Sequence, residues 1–64
     1  MNKLKQFRES ANLTQLALSQ ISGVNIDTIQ NMEINRVSIK NARAHIVVSL
    51  ANALGVKPEE LWED

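Results

Sequence analysis

With no cysteine among its 64 residues, this chain has neither disulfides nor thiolate metal sites to hold it together. A domain of that length buries only about 60% of the surface its unfolded chain exposes, so there is room for one core and nothing else. Stability has to come from helix packing, helped where needed by a second subunit. The absence of cysteine also suits a reducing cytosol. Met1-Asn2-Lys3-Leu4-Lys5-Gln6 holds no apolar run of the signal-peptide kind, and no stretch approaches the roughly 20 apolar residues of a membrane span. The expectation is a soluble cytoplasmic domain with no membrane partner.

Periodicity divides the chain into five helices and gives no convincing strand, an all-α reading with a single domain over residues 1–64. Leu4 and Phe7, with Ala11 one turn on, have helical spacing, and Asn12 stands where a residue able to turn left-handed would stop the helix. This predicts helix one over about 3–11. Thr14 is a good N-cap, and Leu18 and Ile21 recur at i and i+3 before Ser22-Gly23, which predicts helix two over about 15–22. Asn25 caps again, Asp27 lies in the first turn where its charge suits the helix dipole, and Ile29, Met32 and Glu33 follow, giving helix three over about 26–34. Residues 35–41 read as a polar, basic loop with Ile39 turned inward. The set Ala44, Val47, Val48, Ala51 and Leu54 steps by three and four, predicting a core-facing helix over about 42–54 with Gly55 as its C-cap. Pro58 suits a first helical position, with Leu61 and Trp62 closing a short helix over about 58–62.

The formal charge is zero, which at first speaks against a nucleic-acid ligand. However, four of the seven acids, Glu59, Glu60, Glu63 and Asp64, lie in the last six residues. Residues 1–58 therefore carry seven Lys and Arg against Glu9, Asp27 and Glu33, a balance of +4. A basic body with an acidic tail leaves a nucleic-acid partner open, although a few lysines also make an ordinary solvated surface.

Two helices joined by a tight glycine turn, the second polar on its outer side, form the motif that places a recognition helix in the major groove. The residues Leu13-Thr14-Gln15, Leu18, Ser22-Gly23-Val24, Thr28-Ile29 and Met32-Glu33 closely resemble the lambda-repressor-like (Xre/Cro-type) helix-turn-helix family. Leu50-Ala51-Asn52-Ala53-Leu54-Gly55-Val56 with Glu60-Leu61 is similar to that family's closing helices. The resemblance covers about residues 4–62 and implies a compact five-helix DNA-binding domain, with helices two and three as the helix-turn-helix.

The resemblance implies roles for particular residues. Arg8 and Glu33 match positions where the family often holds an arginine–glutamate pair between helices one and three. The alternative is two solvated charges. Thr14, Gln15 and Thr28 match positions facing the DNA backbone, Gln15 at a helix N-terminus that can meet a phosphate. Asn25, Ile26, Asp27, Gln30 and Asn31 match the base readers: Asn and Gln can bond bidentately to adenine, and Ile can pack on a thymine methyl. Asp27 can accept from cytosine or serve only as a first-turn acid. Many relatives have Glu-Asn-Gly after the recognition helix, whereas here Glu33 is followed by Ile34-Asn35-Arg36. Asn35, Arg36, Lys40 and Arg43 are the right chemistry for a different backbone clamp, and equally for an ordinary exposed loop.

No catalytic or metal-binding set is found. His45 stands alone between Ala44 and Ile46, and the terminal acids read as a solubilising tail. The expectation is a non-enzymatic, sequence-specific transcriptional regulator, a repressor by preference, with no cofactor and no small-molecule substrate. Its partner is a double-stranded DNA operator, bound as a homodimer with Leu61 and Trp62 near the interface. Trp62 can instead cover the core edge. The rival reading is a protein-interaction module on the same scaffold, using Leu16, Ile26 and Trp62 as apolar contacts. A third is the DNA-binding part of a longer protein.

Overall fold

The computed structural model describes residues 2–39 and 42–61. Among them the chain forms α1 (Leu4–Ser10), α2 (Gln15–Ser22), α3 (Ile26–Glu33), α4 (Ala44–Leu54) and α5 (Pro58–Leu61), with no strand. Lys40 and Trp62, both singled out in the sequence, lie outside the described residues. The starts of α2, α3 and α5 have a local cause. Thr14 Oγ1 accepts from the Ala17 N–H at 3.0 Å and Asn25 Oδ1 from the Asp27 N–H at 2.8 Å. Each satisfies an amide that a helix's first turn leaves without an intrahelical partner. At α5 the Lys57 N–H donates to Glu60 Oε2 at 2.8 Å, one half of a capping box.

The first four helices each stop at a change of handedness. Asn12, Gly23, Asn35 and Gly55 all have φ between +60° and +75°, following α1, α2, α3 and α4 in turn. At Gly23 a Cβ would find nothing within 4 Å. Glycine is needed there for its backbone torsion, which costs other L-residues roughly 1–2 kcal/mol, and not for clearance.

Leu4, Leu18, Val24, Ile29, Met32, Ile39, Val47, Leu50, Ala51 and Leu61 form the core, with Phe7, Leu13, Ile46, Leu54 and Val56 packed at its margin. α2 packs on both α3 and α4, α4 carries α5, and α1 lies on α3. The Lys3 N–H donates to the Leu61 carbonyl at 2.8 Å, tying the start of α1 to α5.

Several expectations are corrected. α4 begins two residues later than its apolar spacing predicts, because Ala42 N–H closes a turn onto the carbonyl of buried Ile39 and Arg43 stays extended. Its inward face is Val47, Leu50 and Ala51, while Ala44 is exposed and Val48 is 42% exposed. An apolar-rich helix has more hydrophobic residues than one face can hold, and the surplus lies on its flanks. Ile21 is 59% exposed because the turn at Gly23 brings Val24 into the core in its stead. Ala11 is likewise exposed, just past the end of α1. Leu61, expected at a dimer interface, is 0% exposed within its own chain and is therefore a core residue.

Candidate nucleic-acid interface

The turn between α2 and α3 is braced by two serines. Ser19 Oγ donates to the Val24 carbonyl at 2.6 Å, and Ser22 Oγ accepts from the Val24 N–H at 3.2 Å. Both polar groups of the residue after Gly23 are thus held by α2, which fixes the direction in which α3 leaves. Sequence reasoning did not find Ser19, since a serine inside a helix gives no sign of which carbonyl it will meet.

α3 is anchored by Ile29 and Met32, both fully buried. On its other side Asn25, Asp27 and Gln30 are exposed, and Ile26, Thr28 and Asn31 are half-buried. The five residues matched to base readers thus share one short helix and its cap. Asn25 Oδ1 is engaged in capping, so the group it has left to offer is its amide NH₂. Asp27, in the first turn of α3, lies where a negative charge favours the helix.

Behind that face lies a buried ion pair. Arg8 Nε donates to Glu33 Oε2 at 2.7 Å and Arg8 Nη2 to Glu33 Oε1 at 3.2 Å, a bidentate contact between α1 and α3. The side chains are 11% and 3% exposed. Arg8 Nη1 also donates to the Leu13 carbonyl at 2.7 Å, so the guanidinium binds the α1–α2 connection as well. The hydrogen bond to Glu33, with the charges of Glu33 and Glu9 adding to it against the opposing effect of burial, holds the Arg8 guanidinium above its ordinary, already strongly basic range.

Gln15 extends this pair to the surface. Its Nε2 donates to Glu33 Oε1 at 3.0 Å, and its Oε1 accepts from Gln30 Nε2 at 3.3 Å. A carboxylate can only accept, so Gln15 must turn its NH₂ toward Glu33 and its carbonyl toward Gln30, which in turn must offer its own NH₂. The orientation of both glutamine amides is therefore dictated by an acid beneath them. Among the described residues Gln30 keeps a carbonyl oxygen and one N–H without a partner, and Gln15 keeps one N–H.

After α3 the chain turns at Asn35 (φ +61°), with the Arg36 and Val37 N–H groups donating to the Asn31 carbonyl at 2.9 and 3.3 Å. Asn35 supplies the left-handed residue of this turn. Arg36 and Arg43 are exposed, whereas Ile39 is buried and pins the middle of the loop. His45 is exposed on α4. Among the described residues no group of three or more His, Cys, Asp or Glu is placed to hold a metal ion, and no helix is long and apolar enough to cross a membrane.

A short all-helical bundle with a braced α2–turn–α3 unit and a polar-faced α3 is a helix-turn-helix domain. A family model described as helix-turn-helix matches residues 4–61, and the chain belongs to that family, the lambda-repressor-like (Xre-type) proteins. The family is one of DNA-binding transcriptional regulators. No curated protein and no solved structure gives a significant match to the chain.

Proposed function

We propose that this domain is a sequence-specific transcriptional regulator of the cytoplasm, a repressor, that lays α3 in the major groove of a two-fold operator as a homodimer. The observation that carries the reading is the construction of α3: a polar outer face on a helix whose seat is fixed by the buried Arg8–Glu33 pair. Ile26, Asp27, Gln30, Asn31 and the free amide of Asn25 supply groups for base edges. Thr14, Thr28 and the remaining N–H of Gln15, with Asn35, Arg36 and Arg43 in and after the loop, are assigned to phosphates. With Leu61 in the core, the apolar side chains available to a second copy include Ile21, Ile34, Val37 and Val48.

Selection of bound fragments from a random DNA pool tests this directly. The expected product is a site with two half-sites in two-fold relation, about one helical turn apart. On that site Asn31→Ala should cost roughly 1–3 kcal/mol and relax preference at one base pair. Arg36→Ala should weaken binding about equally on all sequences and lower its salt dependence. The protein-interaction reading is favoured by exposed Leu16 on α2, and would be adopted if no fragment is enriched and association with a protein persists undiminished at high salt.

A further inference from the structure

Asn2 precedes α1 in sequence yet holds the far end of α3. Its Oδ1 accepts from the Leu4 N–H at 3.0 Å, starting α1, while its Nδ2 donates to the Met32 carbonyl at 2.8 Å and to Asn35 Oδ1 at 3.0 Å. The last carbonyls of a helix have no partner within it, and the Met32 carbonyl, in the final turn of α3, is met from outside the helix by the Asn35 N–H at 3.2 Å and by Asn2. Asn35 is the left-handed residue that reverses the chain immediately before Arg36. One amide thus joins three things: the first turn of α1, the end of the recognition helix, and the start of the loop that carries Arg36. No other side chain among those assigned here to DNA contact makes this link, and Asn2 makes none of the proposed DNA contacts itself.

We propose that Asn2 is a positioning residue for DNA binding, which sets where the end of α3 and the Arg36 loop meet the phosphate backbone. The proposal rests on the DNA-binding reading above. The two ends of the amide do different work, and substitution separates them. Asn2→Ser keeps an uncharged acceptor for the Leu4 N–H, as a serine turn does, but is too short to reach Met32. Asn2→Asp keeps the acceptor at full reach and loses the donor.

Both variants are to be compared with the parent by thermal melting, by amide hydrogen exchange of the free protein, and by affinity for the selected DNA site across a salt series well below the melting temperature. Exchange should quicken at Asn35, Arg36 and Val37 and stay unchanged through Leu4–Ser10 in Asn2→Asp. The loss of one phosphate contact should reduce the salt slope by about 1 and affinity by about tenfold at 0.1 M salt. Parent-like affinity and salt slope in either variant overturns the proposal, as does a lowered melting temperature with unchanged DNA binding, which would make Asn2 a cap and nothing more. If the parent itself enriches no DNA fragment, the DNA reading fails first and this role falls with it.

Discussion

Glu33→Gln is expected to cost the fold about 3 kcal/mol, the low end of what breaking a buried ion pair costs, since Arg8 keeps a little contact with water. Arg8→Met should cost at least as much, because it leaves a carboxylate that is 3% exposed with only Gln15 as a described side-chain partner. Against roughly 3–10 kcal/mol of total stability for a chain of this length, either change brings the domain close to unfolding at ambient temperature. The double variant should lose clearly less than the sum, by about 1–3 kcal/mol, because no charge is then stranded. Urea unfolding of the four proteins measures this, and additive losses would show that the two residues do not act as a pair. Raising the pH should not release the pair from the arginine side across the neutral range. A guanidinium held above its ordinary value gives its full stabilisation at every pH below that value, and loses it only as the pH climbs through the raised one.

Leu50→Ala is expected to cost about 2–5 kcal/mol, the range for emptying a fully packed leucine site. Leu50 is fully buried on the helix that packs against both α2 and α5. A cavity there loosens the support of the helix-turn-helix and of the chain end together. In contrast Val48→Ala, two residues away on the exposed flank, should change stability by less than about 0.5 kcal/mol. Thermal melting of the two variants separates the faces of α4. Equal losses would mean that the helix is rotated from the orientation described.

The contrast between Leu50 and Val48 also shows what could be read from the sequence and what could not. Caps and stops are local chemistry, so Thr14, Asn25, Asn12, Gly23 and Gly55 announced both bounds of α2, the start of α3 and the ends of α1 and α4. The face of α4 was harder, because Ala44, Ile46, Val47, Val48, Leu50 and Ala51 are nearly all apolar and periodicity has little contrast to work with. In the candidate site, the family resemblance brought Arg8 and Glu33 forward across 25 positions. The Gln15–Gln30 contact spans 15 residues and the Asn2–Met32 contact 30, separations that no helical period relates. Those links depend on how the helices pack, and packing is where single-sequence reasoning ends.

Asn12 and Asn35 share nearly the same backbone torsion, φ +60° and +61°, yet they should behave differently as letters in a related sequence. At 12 the side chain has no hydrogen-bond partner among the described residues, so the torsion is what the position asks for, and Asn12→Gly should melt like the parent. At 35 the side chain also accepts from Asn2, so glycine would keep the turn while removing one of the two bonds by which the Asn2 amide holds the end of α3. With glycine at 35, Asn2 would keep only the Met32 carbonyl and the Leu4 N–H as partners, and position 2 would be held less tightly. The two sites, 33 residues apart, are therefore expected to change together rather than one at a time.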